Sequence, residues 1–256
     1  MKKLHLLLFL LLVVTTFSNC KKEEEESEKF APKQTQYGFA INYTAKWCGP
    51  CGSWGAPAIH DLHDVDADKV VAITAHASGD PMHNRNLYYS FSASDQRYTG
   101  GGIPSFWVGD TKTYRTSAMT TLLNRTAVAG MDMKANKENG KMKIDAQVKF
   151  FEAGSGEYYL SILVLEDGID GGSSASNSYQ QNGTNDPDYK HDFVLRACHV
   201  QNNAYGELIA TDPEINKTFD ISTEIDIDSS WDKVYPVLLL WHKNANNFYE
   251  FVNAYK

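Results

Sequence analysis

The sequence predicts an α/β domain over residues 37–130, followed by an all-β domain over residues 131–256. Two observations support this fold class. Before residue 130, short apolar runs of strand length alternate with runs of helical spacing, which is typical of a sheet covered by helices. After residue 130, apolar and polar residues alternate with a period of two, and no segment has a convincing helical pattern. We therefore expect two packing units that follow each other along the chain.

Apolar spacing defines the elements of the first domain. Residues 37–44, 69–76 and 105–108 are apolar runs of strand length. A first helix is predicted to begin near Cys51, and Asp80-Pro81 is a favourable start for a second helix. The apolar residues of the first helix are Trp54, Ile59, Leu62 and Val65, and those of the last helix are Met119, Leu122 and Leu123.

The second domain shows the pattern of strands with one face in water. Apolar and polar side chains alternate in residues 141–150, and residues 219–228 repeat the alternation. Asn139-Gly140 before the first of these runs is a hairpin signal. Further strands are predicted at residues 158–165, 193–200, 234–241 and 248–255. Six or seven antiparallel strands in about 125 residues predict a β-sandwich of the immunoglobulin-like type.

Residues 1–19 are predicted to be a signal peptide. Lys2 and Lys3 form a basic start, and residues 4–14 are an apolar core that only His5 interrupts. This core is too short for a membrane span, and its flanks are those of a secretory signal. The mature chain is therefore expected to act outside the cytoplasm.

Cys20 is the expected lipid anchor. Phe17-Ser18-Asn19 before it resembles a lipobox, the site at which a signal peptidase cuts ahead of a cysteine that then carries lipid. Residues 20–36 form a charged tether with little to pack. We expect an outer-membrane lipoprotein of the cell envelope, facing either the periplasm or the outside. Simple secretion is the alternative.

The charge of the mature chain limits its partners. Removal of Lys2 and Lys3 with the signal leaves 22 of the 24 Lys and Arg against 32 Asp and Glu, a net charge near −10. Such a balance disfavours nucleic acid and anionic headgroups as partners. Acyl chains rather than basic residues would hold the protein to the bilayer.

Two of the four cysteines form a CxxC motif between a predicted strand and a predicted helix. A CxxC is also half of a zinc site, but no second CxxC or His-x-x-x-His follows to complete one. At a strand-to-helix junction, the first thiol of such a pair lies over the positive end of the helix, which favours its ionisation. We expect a redox pair, with no metal and no cofactor.

Two fragments carry a resemblance to a known family. Trp47-Cys48-Gly49-Pro50-Cys51 resembles the active site of thioredoxin, and Gly102-Ile103-Pro104-Ser105 resembles the loop with a cis-proline that faces that active site. The order of the two predicted domains also resembles a family of outer-membrane lipoproteins in which a thioredoxin-like domain precedes a β-sandwich. The resemblance implies a thioredoxin-like fold for residues 37–130.

The resemblance also implies a role for each residue of the site. Cys48 would be the nucleophile and Cys51 the thiol that resolves the mixed disulfide. Trp47 would be an apolar contact surface. Pro104 would be cis, and the backbone of Ile103 would pair with an extended substrate peptide as one more strand.

One departure from the family bears on catalysis. Thioredoxins place a buried aspartate six residues before the first cysteine, where it assists proton transfer to the resolving thiol, and the matching position here is Asn42. An amide cannot act as a base. The release of substrate from the mixed disulfide therefore needs another explanation.

The sequence favours an envelope thiol–disulfide oxidoreductase that exchanges disulfides with exported proteins through Cys48 and Cys51. The Gly-Pro dipeptide between the cysteines resembles the reducing end of the family, which favours a reductase or isomerase. A membrane thiol protein that donates electrons is a further expected partner. The alternative is a surface lipoprotein that serves in binding or adhesion and has an inert thioredoxin-like platform.

Three other residues have open interpretations. His60 and His63 have a spacing that is able to bind metal, and solvated helix residues are the favoured alternative. Cys198 is either a third redox or dimerising thiol or, as we favour, a buried unpaired cysteine.

Overall fold

The computed structural model describes residues 29–93, 102–170 and 189–256. The predicted signal peptide, the predicted anchor Cys20 and the first part of the tether lie outside the described residues. The described helices are α1 (Ala56–His63), α2 (Arg85–Ala93) and α3 (Thr116–Leu123), and the π-helical turn Cys51–Gly55 leads into α1.

The described strands are distributed over the whole chain. In order they are β1 (Gly38–Thr44), β2 (Val70–His76), β3 (Ser105–Val108), β4 (Ala129–Glu138), β5 (Lys141–Phe150), β6 (Glu157–Asp167), β7 (Ile169–Asp170), β8 (Lys190–His191), β9 (Val194–Cys198), β10 (Glu207–Thr211), β11 (Thr218–Asp226), β12 (Lys233–Lys243) and β13 (Tyr249–Tyr255).

One large sheet contains strands from both halves of the chain. Its order is β13-β12-β6-β9-β2-β1-β3, and β10 pairs with β6 beside this path. β1 and β2 are parallel, and β3 is antiparallel to β1. The halves join where β9 runs parallel to β2, with Thr74 opposite Val194. There Thr74 donates from its backbone N–H to the Phe193 carbonyl at 2.8 Å and from its hydroxyl to the Asp192 carbonyl at 2.9 Å.

Two hydrophobic cores lie on the large sheet. The first takes side chains from both halves of the chain, among them Phe39, Phe91, Leu163, Leu239 and Trp241. The second lies between the large sheet and a smaller sheet of order β11-β5-β4, and it includes Ile144, Val148, Ile162, Leu238 and Leu240.

The predicted division into a domain at 37–130 and a separate immunoglobulin-like sandwich at 131–256 is not confirmed. Two sheets do pack face to face in the second half, as in a sandwich. However, one of these sheets continues through β9 into β2, β1 and β3. The physical reason is that β6 and β12 are buried along most of their length, so both of their faces need cover.

The parallel pair β1 and β2 positions the candidate site. Thr44 at the end of β1 lies opposite His76 at the end of β2. Because parallel strands end at the same edge of a sheet, the CxxC turn after β1 and the loop after β2 lie side by side.

Candidate redox site

The two cysteines of the motif form a disulfide at the end of β1. Cys48 lies in the turn that follows the strand, and Cys51 is the first residue of the π-helical turn. The Sγ atoms are 2.07 Å apart and the Cα atoms 5.2 Å apart. Cys48 is 6% exposed and Cys51 is 0% exposed, so Cys48 is the more accessible of the two cysteines.

The surrounding backbone favours negative charge on the Cys48 sulfur once the disulfide is reduced. The backbone N–H of Cys51 points at Cys48 Sγ, with an N···S distance of 3.2 Å. The helical segment that begins at Cys51 continues through α1, so the positive end of its dipole also lies at the disulfide. Both effects stabilise a thiolate relative to a thiol in this position.

The helical segment begins with a π-helical turn at the disulfide. The N–H of Ala56 donates to the Cys51 carbonyl, five residues back. Pro57 follows and has no N–H, so it cannot form the α-helical bond to the Ser53 carbonyl. The regular helix then buries Ile59 and Leu62 in the first hydrophobic core.

The loop before β3 lies directly against the disulfide. The Ile103–Pro104 peptide bond is cis. The Ile103 carbonyl oxygen is 3.6 Å from Cys48 Sγ. A Cβ atom at Gly55 would lie 2.9 Å from Pro104 Cβ, so the absence of a side chain allows the helical turn to approach the loop. The structure thus brings Cys48, Cys51, Ile103 and Pro104 together.

Trp47 flanks the disulfide and is 45% exposed. Its Nε1 is 3.6 Å from the position that a Cβ of Gly79 would occupy, so the indole lies over the loop after β2. Ala45, Ala77 and Ile103 pack around the two sulfurs. The site is therefore an apolar surface with one accessible sulfur edge.

The exposure of Trp54 differs from the one that the helix pattern predicts. The helical spacing places Trp54 among the apolar residues of the first helix, but its side chain is 41% exposed. Its ring packs on Phe106 at 5.7 Å and on Tyr114 at 5.3 Å between centroids. These rings border a groove of about 490 Å³ that also touches Pro104. The feature of the sequence that could have placed Trp54 near the site is its position only three residues after Cys51.

A small polar cavity lies between the sheet and α1. Its volume is about 10 Å³, and it is lined by Asn42, Thr44, Ala56, Ile59, His60, Thr74, His76, Tyr189, His191 and Asp192. Asn42 is 1% exposed, and its Oδ1 has no hydrogen-bond partner in the part of the chain that the structure describes. The cavity is polar and has the volume that one water molecule needs.

His76 and Asp80 form a buried pair beside this cavity. His76 Nδ1 is 2.8 Å from Asp80 Oδ2, and both side chains are at most 1% exposed. The carboxylate also accepts from the backbone N–H of Lys46 at 2.6 Å and of Met82 at 2.9 Å. Burial alone would raise the pKa of Asp80, but the hydrogen bond and charge of His76, with the two backbone donors, lower it to about 2.

His191 lies next to this pair. Its ring centroid is 5.4 Å from that of His76. Burial, followed by the charge of His76, lowers the pKa of His191 to about 3, so its imidazole is neutral at physiological pH. The sequence alone does not reveal this cluster, because a histidine at the end of an apolar strand gives no signal by itself. The Asp80 carboxylate four residues later is the feature that could have marked it.

The remaining candidate residues lie elsewhere. His60 Nε2 is 3.8 Å from Asp192, and His63 Nδ1 is 2.9 Å from Asp64. Among residues 29–93, 102–170 and 189–256, no group of three or more potential ligands is placed to hold a metal ion. Cys198 is a free cysteine whose Sγ lies 3.2 Å from the Asn203 carbonyl. Burial raises the pKa of this thiol to about 12, so it is unreactive at neutral pH.

The three-dimensional structure is similar to that of HBP35 of Porphyromonas gingivalis. The TM-score is 0.66 with 20% sequence identity, over 88% of this chain and 75% of that chain. The fold is thioredoxin-like. No family model matches the sequence, and no curated protein matches it significantly.

In this thioredoxin-like fold, the Cys48–Cys51 disulfide lies after β1, where the helical segment begins. For the described residues, none of the helices has the length and apolar character required to cross a membrane.

Proposed function

We propose that the protein is a lipid-anchored thiol–disulfide oxidoreductase of the cell envelope that acts on exported proteins. One observation carries the proposal. The Cys48–Cys51 disulfide lies at the start of a helical segment, and Cys48 Sγ is 3.6 Å from the Ile103 carbonyl in the loop that ends with Pro104. The more accessible sulfur therefore lies beside a backbone edge to which an extended client peptide can pair.

Reduction of a client disulfide takes two exchanges. The Cys48 thiolate attacks one client sulfur, an S–S bond forms between the proteins, and the other client sulfur leaves as a thiolate. Cys51 then attacks Cys48, which re-forms the Cys48–Cys51 disulfide and releases the second client thiolate. Two electrons pass from the protein to the client. Trp47 supplies the apolar surface on which the client lies.

The direction of exchange follows from the dipeptide and from the electron supply. Gly49-Pro50 resembles the dipeptide of thioredoxin, whose reduction potential is about −270 mV, so we expect a reductase or isomerase. A reductase outside the cytoplasm has to be reduced again. A membrane thiol protein that passes electrons to Cys48 and Cys51 is the partner that meets this need.

Trapping of clients tests the proposal. We expect Cys51→Ser to accumulate mixed disulfides with exported proteins, because Cys48 still attacks and no second thiol completes the exchange. Non-reducing gels followed by reduction would show these adducts. Cys48→Ser is the matched control and should trap nothing. If Cys51→Ser also traps nothing in cells that express it, there is no catalytic cycle.

A second function has one observation in its favour. Cys48 is only 6% exposed, which suits a disulfide that stays closed in a surface protein whose β-sheet half binds a partner. Equilibration of the purified protein with thiol buffers separates the two functions. If the Cys48–Cys51 pair interconverts between the dithiol and the disulfide in these buffers, the result supports the oxidoreductase. A disulfide that resists reduction in the folded protein supports the binding module.

A further inference from the structure

Cys51 needs a proton acceptor. A thiol attacks a disulfide as the thiolate, and Cys51 is 0% exposed, so bulk water does not reach its sulfur directly. Asn42 lies in the nearby cavity, but its amide accepts no proton under these conditions. The base has to come from another buried residue.

The end of β2 brings a base close to Cys51. His76 lines the cavity, and its register partner Thr44 lines the same cavity. The next residues along both strands, Ala77 and Ala45, pack against the Cys48–Cys51 pair. On the helical side, Ala56 lines the cavity and donates its N–H to the Cys51 carbonyl. His76 thus lies on a cavity that adjoins the surroundings of Cys51 through Thr44, which precedes Ala45, and through Ala56, which bonds to the Cys51 carbonyl.

The other buried groups are poor acceptors. Both oxygens of Asp80 already accept hydrogen bonds, from Lys46, Met82 and His76, and a carboxylate with a pKa of about 2 is a weak base at neutral pH. His191, whose pKa is lowered to about 3, is also a weak base. His76 differs from both in its neutral form, because its Nδ1–H donates to the Asp80 carboxylate and the lone pair is then on Nε2.

We propose that His76, oriented by Asp80, accepts the proton of Cys51 through one water molecule in the cavity, and that Asn42 Oδ1 orients this water. The inference rests on the proposed function, since it concerns the second exchange of that reaction. His76 thus takes the place of a carboxylate at position 42.

The Cys51 S–H passes its proton by way of the water to His76 Nε2, and the Asp80 carboxylate stabilises the resulting imidazolium. The Cys51 thiolate forms a bond to Cys48 Sγ, while the bond between Cys48 and the client sulfur breaks. The client sulfur leaves with the electron pair as a thiolate. It takes a proton from the solvent, and His76 later releases its proton to the solvent.

An aryl disulfide separates the two exchanges. Reduced protein with Cys20→Ser and Cys198→Ser is mixed in a stopped-flow instrument with dithiobis(nitrobenzoate). Attack by Cys48 releases a first coloured nitrothiobenzoate, and attack by Cys51 on the mixed disulfide releases a second. We expect His76→Asn to leave the first rate unchanged and to slow the second about 100-fold, because a general base typically contributes 100-fold or more.

Two further variants separate proton transfer from structure. His83→Asn is the matched control, because His83 Nδ1 donates to the His76 carbonyl and does not line the cavity, and both rates should stay unchanged. Asn42→Asp added to His76→Asn places a carboxylate in the same cavity and should restore much of the second rate. If His76→Asn does not fold, His76→Gln serves, since it also has an amide donor and no base.

The outcomes are distinct. An unchanged second rate in His76→Asn overturns the inference. Equal slowing of both rates also overturns it, because His76 would then only hold the turn that carries Cys48. Failure of Asn42→Asp to restore the second rate would show that the loss came from packing. If the wild-type protein releases no nitrothiobenzoate in either exchange, the proposed function itself fails.

Discussion

Asp80 connects three backbone segments of the site through one carboxylate. It accepts from Lys46, two residues before Cys48, from Met82 in the loop after β2, and from the His76 side chain. The side chain is fully buried, so these bonds replace all of its contacts with water. A residue in this position fixes the turn that carries Cys48 as well as the orientation of His76.

The charge of Asp80 makes the stability of the protein depend on pH. Its pKa falls from 3.8 to about 2 on folding. This difference corresponds to about 2 kcal/mol in the free energy of unfolding. Because the folded pKa is the lower one, the contribution is fully present above about pH 4 and is lost as the pH falls toward 2.

Urea unfolding of the wild type and of Asp80→Asn at a series of pH values checks this expectation. The difference between the two proteins should be largest above pH 4 and should shrink as the pH falls toward 2. Asp61→Asn on the exposed side of α1 is the control, and it should differ little from wild type at any pH. If the difference in the free energy of unfolding between the wild type and Asp80→Asn does not change with pH, the side chain acts through its shape and not through its charge.

At the scale of secondary structure, β12 shows how the two cores share one strand. Leu239 and Trp241 belong to the first core, while Leu238 and Leu240 belong to the second. Since side chains of a strand alternate between faces, consecutive residues enter different cores. β6 follows the same rule, with Leu163 and Leu165 on one side and Ile162 and Val164 on the other.

The sequence located these strands but not their surroundings. The strict alternation in β5 predicted one wet face, and the structure shows that face. The apolar runs at 162–165 and 237–241 instead indicate burial on both faces, as in sheets covered by two layers. Such an apolar run predicts that both faces of the strand are buried, but it does not identify the elements that pack on each face. The pairing of β9 with β2 depends on contacts between residues more than 100 positions apart, which no local pattern encodes.

Similar limits apply to the site. The motif at residues 47–51 predicted both cysteines and the segment that carries them, because the chemistry depends on residues close in sequence. His76 and Trp54 joined the site through tertiary packing. Their roles depend on which neighbours the fold places beside them.

Paired substitutions in β12 test whether both of its faces are buried. Leu238→Ala and Leu239→Ala should each lower the free energy of unfolding by about 2–5 kcal/mol, because each leaves a cavity in a different core. Denaturant unfolding measures both values. Lys143→Ala and Ile144→Ala in β5 are the matched pair, and only Ile144→Ala should be costly. If either leucine can be replaced by alanine without lowering the free energy of unfolding, the face of β12 that carries this leucine is not covered.

For the molecule as a whole, Asn253 and Trp241 hold the first and second halves together. The amide of Asn253 accepts from the Tyr37 N–H at 2.8 Å and donates to the carbonyls of Thr35 and Ala129 at 2.9 and 2.7 Å. Trp241 is fully buried and packs at 5.4 Å from Phe39, a residue of β1. The strand that precedes the redox site is therefore covered by the last strands of the chain.

This shared core predicts that the first half does not fold alone. In a fragment of residues 29–130, Phe39 and Phe91 lose their contacts with Trp241, and β2 loses its neighbour β9. Each large apolar side chain returned to water costs about 1.5–3 kcal/mol, so a few of them remove a net stability of about 5–15 kcal/mol. We expect the fragment to show no cooperative unfolding transition, whereas residues 29–256 should show one.

Circular dichroism during thermal unfolding shows whether residues 29–130 and residues 29–256 each unfold cooperatively. The nitrothiobenzoate assay extends the test to function. In the fragment, the cavity beside His76 also lacks Tyr189, His191 and Asp192, which are three of its lining residues. A fragment that nevertheless unfolds cooperatively and completes both exchanges would show that residues 37–130 are an independent domain. Failure of the fragment together with activity of the full chain would mean that the second half of the sequence is required to build the redox site.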